Sequence, residues 1–183
     1  MIIKNNQTRI DFLETGDIRS ISFEDIIVNQ LFCNPIDEMA SNLFLRLSSR
    51  NGTIDAHPLL GKASNSVFSV SDELPQVQFK GIVGSAAYHV FLTVAHNGWF
   101  YDIIVTNHGT QLLTFDLVYG QDIGLVAKEH IQHNEAYNSQ YIDHKAFETE
   151  QGYVVLSRQN QWRQRDKEGF PVSMLGSFHK TRA

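Results

Sequence analysis

The run Tyr88-His89-Val90-Phe91-Leu92-Thr93-Val94 places an apolar side chain at every second position, and Asn97-Gly98 comes three residues later. Alternation with period two is a strand signal, because successive side chains of an extended chain point to opposite faces. Asn-Gly is a strong hairpin signal, because both residues tolerate the positive φ of a type I′ turn. Trp99 to Thr106 supplies a returning strand rich in aromatic and branched residues. Asn107-His108-Gly109-Thr110 turns the chain again, and Leu112 to Tyr119 reads as a third strand with Leu113, Phe115 and Leu117 on one face. Consecutive strands joined by short turns predict an antiparallel meander.

The same pattern recurs along the chain. Leu43 to Leu47 alternates against Asn42, Phe44 and Arg46, a polar turn spans Ser48 to Gly52, and Thr53 to Leu60 returns, ending near Pro58. Val67 to Val70 and Val77 to Ile82 form a further expected pair. Tyr153 to Arg158 and Val172 to Phe178 are two more strands, and the Ile26-Ile27-Val28 run makes Phe23 to Asn29 a short one. Helical periodicity is weak. Asp122 to His133 has room for one or two turns, with Ile123, Val126 and Ile131 loosely on a face, although Gly124 interrupts it. Many short strands at regular spacing predict an all-β fold, a large antiparallel β-sandwich.

Composition narrows the functional classes. The chain has 183 residues, one domain's worth. A net charge of −5 and a pI near 5.9 argue against a general nucleic-acid binder. The single cysteine, Cys33, excludes an intrachain disulfide framework and reads as a small buried apolar side chain. Gly81 to Tyr101 holds no formally charged residue, but its apolar positions alternate instead of running together. It reads as two strands and a turn, not a membrane span. No export signal is visible at the start, so the expected address is the cytoplasm.

Chemical motifs are few. Glu129, His130, His133 and Glu135 crowd one stretch, but their order matches no zinc signature, so they read as solvated loop residues and no metal site is expected. Gly81-Ile82-Val83-Gly84 lacks the Lys-Ser/Thr of a phosphate loop, and no Gly-x-Ser-x-Gly elbow occurs. The informative stretch is Asn134 to His144, where Asn134, Glu135, Tyr137, Gln140, Tyr141 and Asp143 interleave aromatic rings with hydrogen-bonding groups. Sugar recognition needs that mixture: planar apolar faces for C–H surfaces, and amides and carboxylates for ring hydroxyls. The same residues suit a loop that satisfies its own backbone, and composition does not separate the two readings.

The stretch and its neighbours resemble glycoside hydrolase family 94, the inverting β-glucoside phosphorylases, most closely the members acting on β-1,2-glucans. The pieces that carry the resemblance run in order: Ile27-Val28-Asn29-Gln30, Asn34-Pro35, Lys80 to Gly84, Gly98 to Asp102, Phe115 to Tyr119, Gln121 to Leu125, Asn134 to Asp143, and Arg158 to Gln161. The resemblance implies that residues 1–183 are a single amino-terminal, non-catalytic β-supersandwich domain of the galactose-mutarotase type. It implies that the chain stops before that fold is complete and lacks the (α/α)6 barrel carrying the general acid. The whole enzyme would catalyse reversible phosphorolysis: inorganic phosphate attacks the anomeric carbon opposite the leaving oxygen, an aspartic acid protonates that oxygen, and α-glucose 1-phosphate forms. No metal or organic cofactor is implied, phosphate being a substrate, and no residue here is assigned a catalytic role. Asn134, Glu135, Tyr137, Gln140, Tyr141 and Asp143 become candidates for ligand contact or for a junction with the catalytic domain. The implied partners are a β-glucan oligosaccharide, that catalytic domain and a second subunit, with no nucleic acid and no membrane. The alternative is a stand-alone carbohydrate-binding or interaction β-sandwich module.

Overall fold

The computed structural model describes residues 1–49, 52–127, 140–150, 152–160 and 171–177. The described residues are all-β, with antiparallel pairing throughout the described ladders. Two compact units divide the chain: Met1–Glu24 with Leu31–Asp122, and Asp25–Gln30 with Ile123–Ala183.

The first unit opens with three strands, β1 (Ile2–Asn5), β2 (Thr8–Phe12) and β3 (Ile18–Phe23), paired in that order. The strands β4 (Ile26–Ile27) and, later, β12 (Val126–Ala127) belong to the second unit. A second sheet of the first unit holds β5 (Asn42–Ser48) and β6 (Ile54–Pro58). The third holds β7 (Val67–Val70), β8 (Gln76–Val83), β9 (Ala86–Ala95) and β10 (Gly98–Asn107), in the order β10-β9-β8-β7. Strand β11 (Thr114–Gly120) completes the unit.

Alternation decides which face is buried. Along β9 every even position from Ala86 to Val94 is buried, and every odd position is half-buried. Val90, Leu92 and Val94 are buried, as are Ile10, Phe12 and Ile21 of the first sheet, and β9 lies against β1 and β2. Phe12, Phe68 and Phe79 form a tilted aromatic series, with centroid spacings of 5.8 and 5.1 Å. The Asn5 amide ties the two layers by donating to the Val94 carbonyl at 3.2 Å. This is sandwich packing, the class that the sequence pattern predicts.

The hairpin at Asn97-Gly98 is present but sits one residue earlier. Gly98 pairs with Ala95, so the two-residue loop is His96-Asn97, and neither residue has a positive φ. The loop is therefore not type I′. Gly98, at φ +156°, takes up the distortion at the first position of the returning strand. The β8–β9 hairpin uses Gly84-Ser85 instead, with a positive φ (+58°) at Gly84 alone, as a type II′ turn requires.

The meander ends sooner than the sequence suggests. Strand β11 pairs with β5, not with β10: Phe115 faces Leu47 and Leu117 faces Leu45. The Arg46 guanidinium meets the Asp116 carboxylate across that pair. Local turn chemistry cannot reveal this, because the partner lies some seventy positions back in sequence. The meander itself is β7 to β10.

In the second unit, β4 pairs with β12, and β13 (Ile142–Thr149), β14 (Gly152–Gln159) and β15 (Val172–Gly176) form a three-stranded sheet. The expected helical turns in Asp122 to His133 are not formed in the described part: residues 122–125 are irregular and Val126–Ala127 is a strand. Leu125 adopts φ +52°, which breaks any helical path. Residues 128–133 lie outside the described residues.

Candidate functional site

Of the six candidates in the polar-aromatic stretch, Asn134, Glu135 and Tyr137 lie outside the described residues. Gln140 is exposed in a turn, Tyr141 is half-buried beside it, and Asp143 is exposed as the second residue of β13. The stretch is thus not all loop: its last residues already belong to the β13–β14 ladder, where Ile142 faces Gln159 and Asp143 faces Arg158.

The structure joins Tyr141 and Asp143 to the segment Arg158-Gln159-Asn160. The Asn160 amide N–H donates to the Tyr141 carbonyl at 2.7 Å, extending the ladder by one bond. The Asn160 side-chain amide donates to Asp143 Oδ2 at 3.0 Å, and Arg158 reaches the same oxygen at 3.5 Å. Gln159, pointing the other way, is fully buried. Its Nε2 donates to the Gly124 carbonyl at 3.1 Å, and its Oε1 accepts the Asn160 N–H at 2.9 Å.

Gly124 is fixed in turn by Val28, whose carbonyl accepts the Gly124 N–H at 2.7 Å. A Cβ on Gly124 would lie 3.0 Å from the Gln30 Cα and 3.1 Å from the Asn29 carbonyl oxygen. Backbone meets backbone there, and little but glycine fits. Four sequence segments thus converge in the second unit: 27–30, 123–125, 141–143 and 158–160. The cluster offers one exposed carboxylate, one guanidinium and one amide over a fully satisfied buried glutamine. Such a set can donate to and accept from hydroxyl groups.

Arg158 and Asn160 are partners of Asp143 that the sequence reading did not single out as site residues. The outward residues of β9, His89, Phe91 and Thr93, were also passed over. Their signal lay in the alternation: the face opposite Tyr88, Val90 and Leu92 carries an aromatic ring where a solvated face needs none.

Other residues flagged by the sequence fall into packing roles. Cys33 is buried, as expected, and burial pushes its thiol above the ordinary value, with the nearby Asp17 charge adding to the effect. Among the described residues no group of three or more His, Cys, Asp or Glu side chains is placed to hold a metal ion. No helix among them is long and apolar enough to cross a membrane.

These antiparallel sheets, packed through alternating buried faces, define an all-β sandwich domain. A family model described as the SOGP N-terminal domain matches residues 11–183, and the chain belongs to that family. A 1,2-beta-oligoglucan phosphorylase of Listeria innocua serovar 6a is 34% identical to it over 178 residues. That match covers 97% of this chain but 15% of the relative, so the chain spans under a sixth of the length of the curated relative it matches.

Proposed function

We propose that this chain acts in carbohydrate metabolism as the amino-terminal, non-catalytic part of an oligoglucan phosphorylase of glycoside hydrolase family 94. The observation that supports this reading most is the pairing of two extents: nearly all of this chain matches, and it matches only 15% of the phosphorylase. The described residues contain no helix, so they contribute nothing to a helical catalytic barrel. On this reading the complete enzyme splits a β-1,2-glucan with inorganic phosphate, giving α-glucose 1-phosphate, without a metal or an organic cofactor. The domain supplies scaffold, a junction with the catalytic part, and a contact with a second subunit. The polar cluster around Asp143 and the stretch 134–143 belong to that junction. The cytoplasm is the proposed compartment.

The test is direct. The purified chain is incubated with β-1,2-gluco-oligosaccharides and phosphate, and glucose 1-phosphate is assayed enzymatically. No release above a protein-free blank is expected. Sustained, protein-dependent release would place catalysis in this chain and overturn the reading.

A further inference from the structure

The outer face of the β7–β10 sheet is unlike an ordinary solvated sheet face. The ladder registers place its side chains in rows across the strands. Phe100, Thr93 and Gln76 share one row, and Asp102, Phe91 and Gln78 the next. Ile104, His89, Lys80 and Val67 form a third. The outer side of a one-face-buried sheet is normally polar. Here Val67 is 71% exposed, Ile82 64%, Ile104 53% and Phe100 48%. A shallow depression lies between them, with Val67, Ile82 and Ile104 as apolar walls and Lys80, His89 and Thr106 as polar ones. Ala87, the smallest side chain of its row, leaves the space open between Ile82 and Thr106.

Polar groups on this face are held in place by their neighbours. The Gln76 amide donates to Thr93 Oγ1 at 2.8 Å, and His89 Nε2 and Gln78 Oε1 are 3.0 Å apart. The His89 ring packs on Phe91 with centroids 3.8 Å apart. Asp102 stands beside Phe91 with no hydrogen bond or ion pair to another described residue. The face is therefore rigid, nearly uncharged in sum, and a mosaic of apolar plates and separated donors and acceptors.

We propose that this face binds a neutral β-linked glucan chain, with Phe100, Phe91 and Ile104 under the C–H faces of successive rings and Asp102, Gln76 and His89 toward hydroxyl groups. The proposal rests on the functional reading above for the identity of the sugar. Its geometry stands apart from that reading. One cation and one anion, Lys80 and Asp102, do not suit a polyanion. Burial, with the Lys80 charge beside it, lowers the His89 pKa, so the ring stays neutral at pH 7. Size also decides. Three interstrand gaps of about 4.8 Å and three two-residue steps of about 6.8 Å give a face of about 14 by 20 Å, about 300 Å². A stable protein interface takes about 800 Å² from each partner. The face is long enough for a short oligosaccharide, whereas a second copy of this chain would have to cover more than this face alone.

The experiment uses the 15N-labelled chain titrated with β-1,2-gluco-oligosaccharides long enough to span about 20 Å. Saturable amide shifts are expected on the outward residues of β9 and β10, near Phe91, Phe100 and Ile104. Phe100→Ala and Ile104→Ser should each weaken binding by about three- to tenfold, with only a small drop in melting temperature, because both side chains are about half exposed. No shifts at millimolar sugar, shifts confined to residues 140–160, or self-association that protects this face would each overturn the proposal. Failure here with no glucose 1-phosphate release leaves the functional reading intact. Release of glucose 1-phosphate would sink that reading and leave the binding curve as it is.

Discussion

Gly61→Ala offers the sharpest test of how the first unit is held together. Gly61 has φ +68°, a left-handed conformation that costs an L-residue about 1–2 kcal/mol. Space is a second obstacle. A Cβ there would lie 2.4 Å from Asp17 Oδ1 and 2.7 Å from Asp17 Cγ. Asp17 cannot easily move: it is 1% exposed, and its Oδ2 accepts the Thr15 hydroxyl and, at 3.0 Å, the Lys62 N–H. Turning the carboxylate aside breaks those bonds inside the protein, worth a further ~1–3 kcal/mol. The expected total is about 2–5 kcal/mol. Gly52→Ala is the matched control, because Gly52 has φ +83° but nothing within 4 Å of its would-be Cβ. It should lose only the conformational term, about 1–2 kcal/mol. The difference of about 1–3 kcal/mol corresponds to a melting temperature lower by about 2–12 °C in a chain of this size. Thermal and urea unfolding of both variants measure it. In an Asp17→Ala background the excess should vanish, since the obstructing carboxylate is gone. Equal destabilisation by Gly61→Ala and Gly52→Ala would refute the steric argument.

Three further outcomes are expected. His89 has a folded pKa below its ordinary 6.5, chiefly through burial, so the unfolded chain takes up the proton first as pH falls; stability should decline on acidification from about pH 6.5, and His89→Gln should flatten that slope in pH-dependent melts. Burial pushes the Tyr119 phenol up to about 12 and holds the Tyr101 phenol well above its ordinary value, so a spectrophotometric titration should show two phenolates forming late, stability should fall as pH rises above 10, and Tyr119→Phe should remove one late phenolate and part of that fall. Gln159→Ala removes a fully buried side chain and leaves the Gly124 carbonyl without its Nε2 donor, while the Asn160 N–H keeps the Tyr141 carbonyl, and should cost about 1–3 kcal/mol in urea unfolding, whereas Asp143→Ala, whose ion pair with Arg158 is more than half exposed, should cost under about 1 kcal/mol.

The strands legible in the sequence were those with clean alternation. Asn42–Ser48, Val67–Val70, Ala86–Ala95 and Gly152–Gln159 all lie where period two predicts them. Strands β1 to β3 were not read, because Lys4, Asn5, Arg9, Asp11 and Arg19 dilute the apolar signal at their outward positions. Strand β13 was missed for a similar reason: His144, Lys145 and Glu148 cover a strand that is exposed on nearly every residue. Pairing partners were the other gap. Nothing near Phe115 says that it will face Leu47, since that choice is made by the core and by Arg46 meeting Asp116. The candidate stretch was legible as polar and aromatic, but its partners Arg158 and Asn160 come from another strand of the ladder, which only the register reveals.

Most of the segments that carry the family resemblance turn out to be devices for holding backbone. Gly81 faces Tyr88 across the β8–β9 ladder, and a Cβ there would lie 2.3 Å from the Tyr88 hydroxyl. The glycine lets the phenol ring lie across the strand, so that its hydroxyl reaches Ser66 Oγ at 2.7 Å. Asn34 caps its own turn, its Oδ1 accepting the N–H groups of Ile36 and Asp37 at 2.8 and 3.0 Å. Asp122 Oδ2 accepts the Leu31 N–H at 2.6 Å, and Gly124 lets two backbones touch. Seen this way, Tyr141 belongs to the same class, since its carbonyl bond with the Asn160 N–H extends a ladder, while Asp143 holds the Asn160 side chain above it. Gln140 does not belong there: it is exposed and makes no hydrogen bond to a described residue. Bracing therefore accounts for the buried and paired members of these segments and leaves Gln140, Phe100, Asp102 and Ile82 unexplained by the fold. In a domain whose interior is so fully committed to holding its own shape, those exposed side chains are where ligand or partner recognition has to be sought.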